Sequence, residues 1–205
     1  MDIQLNFINA SNNSNNSKVV IFQKNVATDF DERAIAWKVI ENCGQGDNHP
    51  FTFPVSMYVG ASDSWGNYTP QLSTENGQLL ALQQTPSGDA LSPSGPSTLP
   101  TGVQVLNGLP NGAINASIYK NGKLLAIKTS IEPQQTGTFQ FEPSIWIGAV
   151  SQVDEGELMN SAIVSSINTE IDLQGIASAD IVMTGGGTGP DSRPIEFKLE
   201  NVVMA

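Results

Sequence analysis

The segment AINASIYKNGKLLAIK, residues 113–128, is the strongest indicator of the fold class. Apolar and polar residues alternate on both sides of Asn121-Gly122, a dipeptide that tolerates the positive φ angles of a type I′ turn. Because the twist of that turn matches the twist of two paired antiparallel strands, the segment predicts a β-hairpin with its turn at Asn121 and Gly122.

The same period-two pattern recurs outward from this hairpin. Ile3, Leu5 and Phe7 share one face of an extended segment at the start of the chain, and Ile195, Phe197 and Leu199 show a similar alternation near its end. Glycine and proline contribute 19 and 12 residues, which separate these short runs. The pattern predicts an all-β protein, an antiparallel β-sandwich or an irregular barrel of about 10–12 strands with little or no helix.

The chain of 205 residues is predicted to form a single β-sandwich domain. Residues 85–102 contain four prolines and three glycines, and they are interpreted as a long Pro/Gly/Ser-rich loop that crosses the sandwich. A domain boundary at this point is the alternative, but the second half begins with the same kind of strand as the first. The sequence shows no repeat of fixed period.

Charge restricts the classes of partner. Only 14% of the residues are charged, and 20 acidic residues against 9 Lys and Arg give a formal net charge of −11. Nucleic acid is not an expected partner, because phosphate neutralisation by Lys and Arg supplies most of that affinity. The sequence has no apolar run long enough for a transmembrane segment and no classical signal peptide. The predicted location is the cytoplasm, or outside the cell by an export route without such a peptide.

Cys43 and His49 are the only cysteine and the only histidine. An intrachain disulfide and a zinc site with several Cys or His ligands are therefore excluded. A thiol beside an imidazole can form a nucleophile–base pair, but catalytic pairs usually come from separate segments of a chain. We predict that the protein is not an enzyme and has no catalytic residues; whether Cys43 and His49 have any function is left open.

Candidate ligand-binding residues lie in the segment SDSWGNYTP. They are Asp63, Trp65, Asn67 and Tyr68, and their surroundings indicate a loop, where an aromatic side chain has little reason to belong to a core. Such rings can stack on sugars, so a glycan is a candidate ligand. Trp37 and Trp146 lie in apolar runs and are interpreted as core residues.

Candidate metal ligands are Asp29, Asp31 and Glu32, because hard cations such as Ca²⁺ prefer several oxygen ligands. These residues match no complete calcium-binding motif, and solvated surface acids are the simpler interpretation. No cofactor is therefore predicted. The glycine run 185–189 lacks the Lys and Ser/Thr of a phosphate-binding loop, and it is interpreted as a flexible turn.

We expect a non-enzymatic protein that acts in binding or self-assembly, as a structural or interaction subunit. Its partner would be itself, as a homo-oligomer, or another protein, because few charges leave the edges of a sheet poorly protected. One alternative is a lectin-like carbohydrate-binding module that uses the loop aromatics. Another is a membrane-inserting, toxin-like protein that uses residues 158–189, where alternation over 161–173 resembles a strand of a membrane barrel or a long strand of a sandwich.

Overall fold

The structure, a computed structural model, describes residues 2–27 and 34–205. Within these ranges its regular secondary structure is almost entirely β-strand, so the predicted all-β class is confirmed. One α-helix, α1 (Ser161–Ser166), and one short 3-10 helix (Gly189–Asp191) accompany sixteen strands. In chain order the strands are β1 (Ile3–Asn9), β2 (Lys18–Phe22), β3 (Lys38–Ile40), β4 (Asn48–Phe53), β5 (Met57–Ser62), β6 (Leu72–Thr74), β7 (Gln78–Thr85), β8 (Gly88–Pro96), β9 (Val103–Asn107), β10 (Ile114–Lys120), β11 (Lys123–Ile131), β12 (Thr136–Phe139), β13 (Ser144–Val150), β14 (Thr169–Asp172), β15 (Ile176–Gly186) and β16 (Arg193–Met204).

The strands form two compact units, each with two sheets. Unit 1 comprises Met1–Lys24, Arg33–Val55 and Pro143–Ala205, and unit 2 comprises Asn25–Glu32 and Ser56–Glu142. The sheet orders are β16-β15-β1-β4 and β14-β13-β2-β3 in unit 1, and β12-β9-β7-β8 and β11-β10-β5-β6 in unit 2. Every sheet is open and mostly antiparallel, which agrees with a sandwich-like fold; the parallel pairs are β1–β15 and β7–β9. That the whole chain is one domain stays a prediction.

The two units share one strand topology. We match β9–β12 in order to β1–β4, and β5–β8 to β13–β16. Both sheet orders of unit 2, read from the opposite edge, then coincide with those of unit 1. The parallel pair β7–β9 then corresponds to the parallel pair β15–β1. The chain therefore repeats an eight-strand pattern, first in β1–β8 and then in β9–β16. The first four strands of each repeat form the sheets of one unit together with the last four strands of the other repeat.

The repeat extends to the register of single residues. The sequences Val59-Gly60-Ala61 in β5 and Ile147-Gly148-Ala149 in β13 occupy matching positions against β10 and β2. An added Cβ would be crowded by a side chain at both glycines, tightly at Gly60, 3.3 Å from the ring of Tyr119, and more severely at Gly148, 2.6 Å from Ile167. The repeat lies in the strand topology and not in a fixed sequence period, because matched strands begin 85 residues apart for β3 and β11 but 100 apart for β1 and β9.

The hairpin that indicated the fold class is confirmed. β10 and β11 pair antiparallel, and Asn121 and Gly122 join them with φ angles of 51° and 71°. The predicted long loop over residues 85–102 is wrong, because Gly88–Pro96 is a strand that pairs with β7. Proline is tolerated there because β8 lies at the edge of its sheet, so the loop proper is limited to residues 97–102.

The predicted long strand over residues 161–173 is also wrong. The first part of this segment is α1 and the second part is the short strand β14. α1 is capped at its start by the Asn160 side chain, which accepts a hydrogen bond from the Ile163 amide at 2.9 Å. Ile163 and Val164 pack against a buried cluster that includes Phe22 and Met159, so their apolar character serves this contact. No helix in residues 2–27 and 34–205 has the length and apolar character needed to cross a membrane.

The glycine run is built into the sheet of β1 rather than projecting as a free loop. Gly185 and Gly186 belong to the end of β15, and Asn12 donates its amide to the Gly185 carbonyl at 2.8 Å. Trp37 is buried and meets Phe53 edge to face, with 5.4 Å between ring centroids, which confirms its interpretation as a core residue.

Candidate functional site

The loop that joins β5 to β6 is closed by Asp63. Its Oδ1 atom accepts hydrogen bonds from the amides of Trp65 and Asn67, both at 2.9 Å, and its Oδ2 atom accepts one from the Asn67 side-chain amide at 2.8 Å. These hydrogen bonds, led by that of the Asn67 side chain, lower the pKa of Asp63 from its ordinary value. Gly66 completes the turn with a φ of +87°. The loop therefore has a fixed shape.

Two aromatic rings project from this fixed loop. Trp65 is 82% exposed and Tyr68 is 81% exposed, although tryptophan and tyrosine are usually largely buried. The backbone beneath Tyr68 is held in place, because Tyr68 bridges Ser62 and the Thr69 amide donates to the Ala61 carbonyl at 2.9 Å. Both rings are thus presented to solvent by an ordered backbone.

A polar cleft of about 280 Å³ lies beside Tyr68 within unit 2. One wall is the Asp63 loop and the other is the turn between β7 and β8, where the Thr85 hydroxyl donates to the Gly88 carbonyl at 2.6 Å. The side chains of Ser87 and Asp89 face this space from the turn. The lining residues are Asp63, Asn67, Tyr68, Thr69, Leu82, Ser87, Gly88 and Asp89.

The structure brings together most of the predicted ligand-binding residues. Asp63, Asn67 and Tyr68 line one cleft, whereas Trp65 stands on the same loop outside the lining. Because Asp63 and Asn67 bond to each other, their first role in the structure is to hold the loop that presents the rings. The sequence did not predict the other wall of the cleft, residues 87–89, because these residues lie inside the segment interpreted as a long loop.

The repeat provides a second cleft for comparison. In unit 1 the connection between β13 and β14, which matches the Asp63 loop in topology, borders a space of about 600 Å³. Lys18 lies there, bonded to Asp154 at 2.8 Å and to Glu41 at 2.5 Å, and these contacts raise its pKa to about 12. The residues that line this cleft include no aromatic side chain, so the chemistry of the two clefts differs.

The predicted metal ligands Asp29, Asp31 and Glu32 lie outside the described residues. Among the residues that the structure describes, no three His, Cys, Asp or Glu side chains are grouped so that they could hold a metal ion. A bound Ca²⁺ therefore stays untested.

The surroundings of Cys43 do not favour a reactive thiolate. Burial, followed by the negative charge of Asp47, raises the pKa of the Cys43 thiol, which favours the unreactive neutral form. His49 lies in β4 opposite Phe7. That the protein is not an enzyme stays a prediction.

Comparison of the chain with protein-family models, curated proteins and solved structures finds no match.

Proposed function

We propose that the protein is a non-enzymatic binding protein whose ligand is a carbohydrate, taken up at the cleft of unit 2. The observation that carries the proposal is the exposure of Trp65 and Tyr68, each above 80%, on a loop whose backbone is fixed by hydrogen bonds. Exposed aromatic side chains on a rigid support lose little conformational entropy when a ligand covers them.

A sugar ring has the two kinds of surface that the cleft complements. Its C–H face packs on an aromatic ring, and its hydroxyl groups form hydrogen bonds with carboxylates and hydroxyls. Tyr68 supplies the ring, while Asp89, Ser87 and Thr69 supply the polar groups. The volume of about 280 Å³ is at the small end for ligand pockets, which favours recognition of one or two sugar units of a longer glycan.

A protein partner is the competing ligand, since tryptophan and tyrosine are frequent at the centres of protein interfaces. A polar cleft beside the rings favours the carbohydrate, because the centre of a protein interface is usually apolar. The membrane-inserting alternative receives less support: the segment 158–189 contains α1, β14 and β15, and β15 lies between β1 and β16. Insertion would first require β15 to leave the middle of its sheet.

A glycan array followed by titration calorimetry tests the proposal. The fluorescence of Trp65 gives a second signal. The other two tryptophans are less accessible to a ligand, because Trp37 is buried and the Lys24 ammonium lies over the ring of Trp146, 3.2 Å from its centroid. Ligand binding should therefore shift the tryptophan emission of the wild type to shorter wavelength. Trp65→Ala and Tyr68→Ala should each weaken binding roughly tenfold, since an aromatic contact is worth about 1 kcal/mol or more.

Matched variants separate a loss of stacking from a loss of fold. Trp65→Phe keeps a ring and should retain most of the affinity, while Val55→Ala changes a residue exposed outside the cleft and should have no effect. Repeating the titration with EDTA tests a calcium requirement. Absence of binding on the array, or binding that Trp65→Ala and Tyr68→Ala leave unchanged, would exclude the carbohydrate site.

A further inference from the structure

The cleft of unit 2 carries negative charge that the chain does not balance. Asp63 and Asp89 line it, and the other described residues in its lining are uncharged. The hydrogen bonds that lower the pKa of Asp63 come chiefly from Asn67, a neutral residue, so they stabilise the negative charge without cancelling it. The side chain of Asp89 forms no hydrogen bond and no ion pair with any residue that the structure describes. Two carboxylates are therefore open to a positively charged ligand.

The repeat shows that unit 1 supplies a cation where unit 2 has none. In unit 1, Val150 ends β13 and pairs with Lys18, whose ammonium group lies 2.8 Å from Asp154. In unit 2, Ser62 ends β5 and pairs with Asn115. Asn115 thus holds the ladder position of Lys18 but has no charge. The chain itself neutralises Asp154 beside the cleft of unit 1, whereas at the cleft of unit 2 that task is left to a ligand.

The exposed ring of Tyr68 adds a second attraction for a cation. The face of an aromatic ring carries partial negative charge, so an ammonium group placed over it is stabilised. Tyr68 and Asp89 line the same cleft, and the ring of Tyr68 is almost fully exposed. A ligand with an ammonium group would therefore meet a ring and carboxylates within one space of about 280 Å³.

We propose that the cleft of unit 2 selects amino sugars, which carry a protonated amine, over neutral sugars and over sugars with a carboxylate. The inference rests on the proposed carbohydrate site and specifies its class of ligand. The ammonium group pairs with the Asp89 carboxylate and lies against the Tyr68 ring. Acetylation of the amine removes the charge and both of these contacts. A sugar carboxylate is repelled by the two acids and by a chain with a net charge of −11.

Titration calorimetry with three matched trisaccharides tests this selection. All three consist of β-1,4-linked rings and differ only at carbon 2, where glucose has a hydroxyl group, N-acetylglucosamine an acetamide and glucosamine an amine. At about pH 6 the amine is protonated and the aspartates are ionised. The glucosamine trisaccharide should bind roughly tenfold more tightly than the other two at low ionic strength, and salt should reduce this preference.

Two charge-removing variants locate the preference. Asp89→Asn keeps the shape of the side chain, and it should lower the ratio of the glucosamine affinity to the glucose affinity to roughly two- to threefold, since Asp63 alone remains. Glu75→Gln is the matched control, because Glu75 is exposed, lies outside the cleft lining and loses the same charge. It should keep the tenfold ratio. Thermal unfolding of both variants monitors the fold.

The possible results separate this inference from the carbohydrate site itself. If the three trisaccharides bind equally and Tyr68→Ala weakens all of them, the carbohydrate site is supported and the selection of amino sugars is refuted. Equal losses of preference in Asp89→Asn and Glu75→Gln also refute it, because the attraction would then come from the charge of the whole chain. So does tighter binding of a uronic acid trisaccharide. If no trisaccharide binds, the carbohydrate site and this inference fail together.

Discussion

Replacing Gly185 by alanine is predicted to destabilise unit 1 strongly. Gly185 has a φ of +88°, a conformation that L side chains rarely adopt. An added Cβ would also overlap the Pro194 carbonyl oxygen, far inside the closest approach of real Cβ atoms. The substitution therefore combines backbone strain with a steric conflict against another strand.

Gly189 provides a matched control within the same glycine run. Its φ is +69°, but an added Cβ would meet no atom within 4 Å, so Gly189→Ala introduces the backbone strain alone. That strain costs about 1–2 kcal/mol, and overpacking adds about 1–3 kcal/mol for Gly185→Ala. At about 2–4 °C per kcal/mol for a chain of this size, Tm should fall by roughly 4–20 °C in Gly185→Ala and roughly 2–8 °C in Gly189→Ala.

Thermal unfolding followed by circular dichroism, with urea unfolding for the free energy, measures both variants under the same conditions. The informative quantity is the difference between them, since the conformational cost is common to both. If the two substitutions lower Tm equally, Gly185 is not packed against Pro194. In that case the earlier interpretation of the run as a flexible turn would regain its support.

Three further outcomes are expected. Asp180→Ala removes the acceptor of hydrogen bonds from Asn6 at 3.0 Å and Asn201 at 2.7 Å, and urea unfolding should show a loss of about 1–3 kcal/mol; an unchanged midpoint would contradict this role. The hydrogen bonds that lower the pKa of Asp63 also stabilise the folded protein. Their contribution to the free energy of unfolding is fully present above pH 3.8, the ordinary pKa of the group, and is lost as pH falls through the lowered pKa. Tryptophan emission of the wild type should change only below that value, and a transition near neutral pH would refute the assignment. Cleavage at a protease site inserted at residues 98–101 should leave the two fragments associated in size-exclusion chromatography, because each fragment supplies four strands to each unit. Separation of the fragments would disprove this pairing of strands from both halves of the chain.

The sequence predicts the class of the fold because that information is local. The alternation over residues 113–128, interrupted by Asn121-Gly122, is sufficient to specify a hairpin. The repeat has no such local signal: matched strands are separated by different numbers of residues, and the identities that remain, such as Gly60-Ala61 and Gly148-Ala149, are short. Only the pairing of strands distant in the chain reveals the repeat.

Two local interpretations failed for different physical reasons. Prolines in residues 85–102 indicated a loop, yet an edge strand tolerates proline because one side of its backbone needs no partner. The apolar spacing of Ile163 and Ile167 fits both a strand and a helix, and the Asn160 cap together with packing on Met159 decides for the helix.

Part of the candidate site was accessible to sequence reasoning. Asp63, Trp65, Asn67 and Tyr68 lie within six residues of the chain, and a loop of that composition brings its own side chains together. The opposite wall, which contains Ser87 and Asp89, comes from another hairpin, and its approach depends on the pairing within both sheets of unit 2.

The shared topology of the two units provides a control for the proposed carbohydrate site. Unit 2 carries exposed aromatic rings on the loop that borders its cleft, whereas the matching cleft of unit 1 contains the Lys18 ion pairs and has no aromatic side chain in its lining. We therefore expect Tyr68→Ala to weaken glycan binding, and Asp154→Ala, which removes one partner of Lys18 in the unit 1 cleft, to leave the affinity unchanged. Titration calorimetry on both variants measures the two affinities. Equal losses of affinity while the fold remained intact would mean that binding does not depend on the rings of unit 2, and the assignment of the site to that unit would be wrong.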